Sequence, residues 1–435
     1  MVTCQRCPGF VRARTTRLWK PRRGDSGVSC AGCKNLRPSG MNQPPKMSAL
    51  SPPDRLLMGP GPSDVHPRVL QAMSTPLVGH LDPVFLDIMN EVQELLRYTF
   101  CTENRWTIPV SGTGSAAMEA AFANLVEPGD TVLVPTNGYF GARMESMARR
   151  AGGEIAHVHA PWGQPLDPDD VRAAIAEHRP AVFGFVHAET STGTLQPDVP
   201  ALTAAAHEAG ALVIADTVTS LGGVELRVDE WNIDVAYSGG QKCLSCPPGA
   251  SPLTLTDAAF EKIRSRREPV RSWYLDIGLL ESYWGEERSY HHTAPISNIY
   301  ALREALRLVA EEGIEERWGR HLKVASALKA GVCAMGLEML PEDAWWLPSL
   351  NAVRVPVGID SKVVTKRLLA EQGIEIAGGL GVLAGKIFRI GCMGHACRPR
   401  NILLLLSALG HILRQEGARI DVAAGLAAAE SALNS

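Results

Sequence analysis

Nowhere in the 435 residues is there an apolar run approaching the roughly 20 residues that a membrane-spanning helix needs, and the cluster at 402–406 is far too short. No membrane span or membrane partner is expected. Internal repeats are also missing, which excludes stacked-repeat architectures. A basic excess that would attract nucleic acid is absent too: the net charge is −3, and beyond residue 46 there are 33 Lys/Arg against 45 Asp/Glu. Cysteine is sparse after residue 46, with six scattered through a chain too long to need disulfide staples. That usage points to free thiols in a reducing compartment, the cytoplasm.

What is present, 45% apolar and 20% charged residues, describes an ordinary globular chain with length for two or three domains. The first 46 residues differ: Asp25 alone stands against ten Lys/Arg. Cys4-x-x-Cys7 and Cys30-x-x-Cys33, 22 residues apart, approach a zinc-ribbon spacing. Arg and Pro abound there without periodic apolar residues, so no core forms without metal. We read 1–46 as a basic extension, disordered or untranslated, because Met41 and Met47 precede the globular pattern. A zinc or nucleic-acid module, or an Arg-rich transit peptide, are the other readings of that composition.

From Trp106 onward, short β-branched runs alternate with amphipathic segments, the pattern of an α/β fold with a parallel sheet covered on both faces. Strands are expected at 106–110, 131–135, 181–187, 211–215, 233–238 and 252–256, and helices at 115–125, 139–151, 170–178 and 199–209. Further on, helices at 296–310 and 314–330 lead to a smaller part with strands at 350–355, 374–377 and 386–390. Helices at 362–371, 398–414 and 421–433 complete it. Ligands of such sheets sit beyond the carboxyl ends of the strands, where Ser111, His187, Asp216 and Ser238 fall. Asp216 ends the run Ala211-Leu-Val-Ile-Ala-Asp216, and Lys242 closes Val235-Ala-Tyr-Ser-Gly-Gly-Gln-Lys242. An amine and an acid at one sheet edge are what pyridoxal 5'-phosphate requires. The lysine forms a Schiff base with its aldehyde, and the carboxylate keeps its ring nitrogen protonated.

Val110-Ser-Gly-Thr-Gly-Ser-Ala-Ala117 joins a strand to a helix, and its glycines let backbone amides approach a phosphate at the positive helix end. The same letters match a dinucleotide fingerprint weakly. That reading needs a ribose-binding acid after the next strand, and Thr131-Val-Leu-Val-Pro-Thr136 ends without one. A cofactor with a single phosphate suits the loop better.

These residues resemble the class V aminotransferases of the fold type I pyridoxal-phosphate enzymes, in particular the alanine–glyoxylate and serine–pyruvate group. The resemblance rests on Leu57-Met-Gly-Pro-Gly-Pro-Ser63, Ser111-Gly-Thr-Gly-Ser115, Glu127-Pro-Gly-Asp130, Asn137-Gly138, Glu189-Thr-Ser-Thr-Gly-Thr-Leu-Gln-Pro197, Asp216-Thr-Val-Thr-Ser-Leu-Gly-Gly223, Ser238-Gly-Gly-Gln-Lys242, Tyr290-His-His-Thr293 and Arg389-Ile-Gly391, in order across 53–415. It implies a large cofactor-binding domain at 47–312, with an N-terminal arm and a mainly parallel seven-stranded sheet, and a smaller α+β domain at 313–435. It implies Lys242 as the Schiff-base residue and Asp216 as partner of the ring nitrogen. Thr113, Gly114 and Ser115 would cradle the phosphate, Gln241 and Thr190 would touch the ring substituents and phosphate surroundings, and Phe140 and Val218 would pack on the two ring faces. Trp is common at position 140 among animal relatives, and Phe keeps the π-surface without the indole N–H. Ser115 stands where some relatives carry His. Tyr290 and Thr293 would complete the cradle of a neighbouring subunit, making a homodimer with shared sites. Arg389 would grip the substrate carboxylate as a two-pronged donor, and the backbone at Gly61 would leave room only for a small side chain.

The implied reaction is a ping-pong transfer of the amino group of alanine or serine to glyoxylate or pyruvate. A cysteine desulfurase or another class V lyase is the nearest alternative, with Cys392 or Cys397 as its nucleophile. Adjacent His291 and His292 would point to opposite sides of an extended segment, and Cys243-Leu-Ser-Cys246 lacks a thioredoxin context. No metal is expected in this body.

Overall fold

Apolar runs that stop at an acid or a glycine build the sheet, and a computed structural model describes the chain over residues 45–435. The expectations for the extension 1–46 lie outside the described residues, save its last two, and residues 45–53 are exposed without regular structure. Residues Asp54 to Ser435 form one compact unit. Strand β1 (Leu56–Leu57) is followed by helices α1 (Pro67–Met73) and α2 (Pro83–Phe100). Both helices start at proline, whose fixed φ and missing N–H suit a first turn, behind caps in which His66 and Asp82 accept from the Arg68 and Val84 amides. Next come β2 (Trp106–Gly112), α3 (Gly114–Leu125), β3 (Thr131–Leu133), α4 (Tyr139–Ala151), β4 (Glu154–Ala156), α5 (Pro168–His178) and β5 (Val182–Val186). A short hairpin, β6 (Ala188–Glu189) with β7 (Thr194–Leu195), precedes α6 (Val199–Glu208), β8 (Leu212–Asp216), β9 (Val235–Tyr237) and β10 (Gly249–Leu255).

Seven strands pair in the order β2-β10-β9-β8-β5-β3-β4, parallel from β9 to β4. The α/β fold expected from the sequence is therefore present. Side chains alternate across it as the strand period of two requires: Phe183, Phe185, Val213, Ala215 and Ala236 enter one apolar core, Val182, Val186, Ile214, Val235 and Tyr237 the other. One strand departs from the expectation, because β10 runs antiparallel to both β2 and β9. No helix separates β9 from β10, so the chain returns without the crossover that parallel pairing needs.

Helices α7 (Asp257–Arg264), α8 (Ile277–Trp284), α9 (Ile296–Glu312) and α10 (Ile314–Ala334) lead onward. The remaining elements are β11 (Leu350–Arg354), α11 (Ser361–Gln372), β12 (Ile374–Glu375), β13 (Ala377–Gly378), β14 (Ile387–Gly391), α12 (Pro399–Gln415) and α13 (Val422–Asn434). The single strand expected at 374–377 is two, since Glu375 pairs with Leu57 whereas Ala377 pairs with Arg389. This switch sews the arm at β1 to the three-stranded sheet β11-β14-β13. A separate apolar cluster includes Leu328, Phe388, Ile402 and Leu409; Trp318 packs with the large core and Met58 with this smaller one.

Gly391 lies where arm and small sheet meet. Its amide donates to Met58 O at 2.8 Å, and a Cβ there would collide with the Gly59 carbonyl. Gly391→Ala is expected to destabilise the fold by about 1–3 kcal/mol in urea unfolding, the usual cost of overpacking. Gly319→Ala is the control: this α10 glycine has open space around a Cβ, and the change should stabilise by about 0.5–1 kcal/mol.

Candidate active site

Asp216 and Tyr237 sit side by side at the carboxyl ends of β8 and β9, and Val186 of β5 pairs with Asp216 on the other side. The Asp216 carboxylate is buried and accepts two hydrogen bonds, from Val218 N at 2.9 Å and Tyr237 Oη at 3.0 Å. Burial outweighs these bonds and pushes its pKa up to about 7. The chain then turns through Ser238-Gly-Gly-Gln into Lys242, whose side chain is also buried. Burial, with the nearby Arg389 charge adding to it, drives the Lys242 amine down to about 8.

Lys242 is held from several directions. Its Nζ donates to Pro60 O, and its carbonyl accepts from Ser63 Oγ at 2.7 Å, so the arm grips both ends of the residue. A Cβ at position 61 would lie 2.7 Å from Lys242 Cδ and 3.0 Å from Nζ, and φ there is +108°, so glycine is required twice over. Behind the loop, buried Arg317 donates to Gly222 O at 3.0 Å and to Cys243 O at 2.7 Å. That one guanidinium, answered by Glu312 at 2.6 Å, ties the turn after Asp216 to the residue after Lys242.

Arg389 projects from β14 into the same region, its Nε donating to Gly378 O at 2.8 Å and its Nη1 to Thr190 O at 3.4 Å. Nη2 has no acceptor among the described residues. Burial lowers the Arg389 pKa, and Glu189 opposes that shift. Thr190 Oγ1 bonds to Thr219, which fixes the segment after β6 against the turn after Asp216.

At the loop expected to hold a phosphate, α3 begins after Thr113 with no side-chain cap, leaving the first amides of the helix without a capping side chain. A Cβ at Gly114 would touch Val218 Cγ2 at 3.4 Å, so Gly114 and Val218 are neighbours. Ser115 Oγ accepts from Arg143 Nη1 at 3.1 Å, and the Arg143 guanidinium lies 4.9 Å from the centre of the Phe140 ring. Gln241 Oε1 and His187 Nδ1 are buried without a partner.

Tyr290 and Thr293 are exposed, and no hydrogen bond links either to the Lys242 cluster among the described residues. His292 Nε2 does reach Ser111 Oγ at 2.7 Å. The two histidines do not point apart: their Nδ1 atoms approach to 2.9 Å, because Trp273 stacks on His291 and Tyr274 and Tyr283 crowd His292.

Sequence reasoning missed Glu189, Tyr237, Arg143 and Arg317. Glu189 is fully buried and accepts from Ser191 N, Ser191 Oγ and Phe140 N, which anchors the start of α4 and with it the Phe140 ring. A Cβ at Gly138 would overlap this carboxylate, so the glycine before α4 was the available signal.

The sequence matches the Aminotransferase class-V family over residues 56–398. It is 43% identical to the (S)-ureidoglycine–glyoxylate transaminase of Bacillus subtilis, over 87% of this chain and 95% of that protein. Identity to the alanine–glyoxylate aminotransferase of Drosophila melanogaster is 39%, over 86% of this chain and 97% of that one. Among solved structures, an alanine–glyoxylate aminotransferase from Nostoc sp. superposes with a TM-score of 0.84 at 51% identity, covering 86% of this chain and 99% of that chain. Fold, sheet-edge residues and similarity over most of its length agree: this chain belongs to the class V aminotransferases.

Proposed function

We propose that this aminotransferase moves the amino group of a small amino acid, alanine or serine, to a small 2-oxo acid, glyoxylate or pyruvate, in two half-reactions at Lys242 with pyridoxal 5'-phosphate as cofactor. The observation that carries the reading is the convergence of a buried amine at Lys242, a guanidinium at Arg389 with a free Nη2, and the side-chain-free backbone at Gly61. The donor set fits the cofactor. Asp216 is a buried carboxyl without a cationic hydrogen-bond donor, which a protonated ring nitrogen would supply. Gln241 Oε1 is a buried acceptor without a donor, and the uncapped α3 start with Thr113, Gly114 and Ser115 suits a phosphate. Phe140 and Val218 would cover the ring faces, and Thr190 would border them.

When bound, the cofactor supplies an aldehyde that takes up the amino group and a ring that accepts the electron pair left at the substrate carbon. Lys242 Nζ, whose neutral form burial favours, takes the substrate Cα proton and later returns it. Arg389 orients the substrate through its carboxylate, and the Gly61 backbone restricts the side chain. Asp216 holds the proton on the ring nitrogen. Tyr290 and Thr293 of a second copy would close the phosphate cradle, so a homodimer is part of the proposal; the 60% exposure of Tyr290 supports it. Glyoxylate as acceptor is common to the names of the relatives, which pair it with alanine or (S)-ureidoglycine. The cytoplasmic setting also belongs to the proposal. Cys392 and Cys397 are fully buried, which suits packing better than the nucleophile of a desulfurase.

Borohydride treatment of the cofactor-loaded protein should add the mass of the reduced cofactor to the Lys242 peptide; an unmodified peptide would refute the assignment. Lys242→Ala should fold and lose turnover on the order of 10²–10⁴-fold, the usual worth of a positioned acid–base group. With L-alanine, L-serine and (S)-ureidoglycine compared against glyoxylate, pyruvate or glyoxylate-derived glycine identifies the exchange, and exclusive use of (S)-ureidoglycine would overturn the donor.

Arg389→Lys should raise KM for the amino acid by about 10–100-fold, the loss of roughly 1.5–3 kcal/mol from a charge-assisted bond. A change confined to kcat would contradict a carboxylate-binding role.

In the cofactor-free protein, Lys242 should react half-maximally with an amine reagent near pH 8 rather than at the ordinary 10.5, because burial disfavours its charged form. Peptide mapping across a pH series reads this directly.

A further inference from the structure

Helix α10 begins in the large core, where Trp318 packs, and continues into the smaller one, where Leu328 packs. Gly313, with φ of +88°, both ends α9 and opens α10, so the last turn of one helix faces the first turns of the next. Across that corner Glu312 meets two arginines. Arg317 and Arg320, three residues apart, share one face of α10. Glu312 accepts from Arg317 Nη1 at 2.6 Å and from Arg320 Nη2 at 3.0 Å.

The remaining donors of the two guanidiniums go to different places. Arg317 bonds to Gly222 O and Cys243 O, in the turns that follow Asp216 and Lys242. Arg320 Nη1 donates to Gly394 O at 3.1 Å and to Cys397 O at 2.8 Å, in the segment that follows Arg389 on β14. The loops after Asp216, Lys242 and Arg389 therefore converge on one carboxylate. Two of them also touch directly: His395 N donates to Ser245 Oγ at 2.7 Å, and a Cβ at Gly394 would lie 2.6 Å from Cys243 O. Gly394 N donates to His321 Nε2 at 2.9 Å, which leaves the ring proton on Nδ1, 2.8 Å from the Arg317 carbonyl. That fully buried ring is thus a neutral spacer between α10 and the segment after β14.

We propose that Glu312, Arg317 and Arg320 are positioning residues for the reaction: they set the distance between the Lys242 amine and the Arg389 guanidinium, and so register the reacting carbon of the substrate against the amine. The proposal rests on the reading of Arg389 as the grip on the substrate carboxylate. Lysine at 317 or 320 would keep the charge opposite Glu312, but an ammonium is a point charge and cannot span two carbonyls and a carboxylate at fixed angles. Proton transfer is sensitive to such registration, since a misplacement of about 1 Å can cost on the order of 10²-fold in rate.

Arg317→Lys and Arg320→Lys separate the two ends of the device. In the cofactor-loaded protein, R317K should lower kcat by about tenfold at nearly constant KM for the amino acid, and R320K should raise that KM by about tenfold. Glu312→Gln, which removes the shared charge, should do both. In the cofactor-free protein, the pH at which Lys242 reacts half-maximally should rise from near 8 toward 10.5 in R317K, as the loosened turn admits water, and stay in place in R320K. Amide hydrogen exchange of the loaded proteins should quicken at 243–246 in R317K, at 394–397 in R320K and at both in E312Q. Lower stability in urea with kcat, KM, Lys242 reactivity and loop exchange unchanged in both lysine variants would make the three residues structural only and overturn the proposal. Identical changes in the two lysine variants would show general loosening and overturn it as well. If E312Q does not fold, the lysine variants, which keep the charge, decide. An unaltered KM in Arg389→Lys would refute the carboxylate grip by itself, while loop exchange and Lys242 reactivity still report whether the three residues hold the loops.

Discussion

The site depends on burying an acid and an amine at one sheet edge, where neither keeps its charge cheaply. Asp216 has its pKa raised from 3.8 to about 7. Its contribution to stability is fully present below 3.8 and is lost as pH rises through 7. Lys242 has its pKa lowered from 10.5 to about 8, so its contribution is present above 10.5 and lost as pH falls through 8. Both penalties overlap between about 7 and 8. A bound group that offers Asp216 a cationic N–H and takes Lys242 into a covalent bond relieves both together, so the strain that opposes the empty fold favours loading of the site.

That burial is possible because other elements hold the two loops still. The arm from β1 to Ser63 clamps Lys242 by its Nζ and by its carbonyl, and Arg317 joins the loop after β8 to the loop after β9. The arm is itself pinned by β12 and by Gly391, one residue beyond Ile390 and two beyond Arg389. The residue proposed to grip the substrate and the glycine that limits its size are thus parts of one hydrogen-bonded assembly. A displacement of β14 would reach Lys242 through the Gly59-Pro60-Gly61 backbone.

Much of this was legible in local pattern. Helix α4 was expected at 139–151, which is where it lies, because Gly138 and Gly152 punctuate it. Asp216 was found because an apolar run ends there, and Lys242 because it closes the next such run, downstream of that acid. The apolar strands gave the α/β fold through their length and spacing. What stayed hidden depends on contacts distant in sequence. Glu189 reads as a polar residue of a turn until Phe140, 49 residues away, presents its amide. Arg317 reads as an amphipathic-helix charge until Gly222 and Cys243 accept from it. The antiparallel course of β10 and the divided strand at 374–377 likewise follow from which partner strand is adjacent, and periodicity carries no such information.

Charge gives the last constraint. Two buried acids, Asp216 and Glu189, face two buried bases, Lys242 and Arg389, and the pKa shifts record their mutual influence. The four cancel when all are ionised, so they leave no surplus for the phosphate dianion and substrate carboxylate of the proposed reaction. Positive potential must come from outside the quartet. The uncapped start of α3 supplies part of it through aligned peptide dipoles. Arg143 adds to it: among the described residues it has no carboxylate partner, it touches Ser115, and the Phe140 ring under it orients the guanidinium without neutralising it. A carboxylate in place of Ser115 or beside Arg143 would cancel that potential where the phosphate needs it.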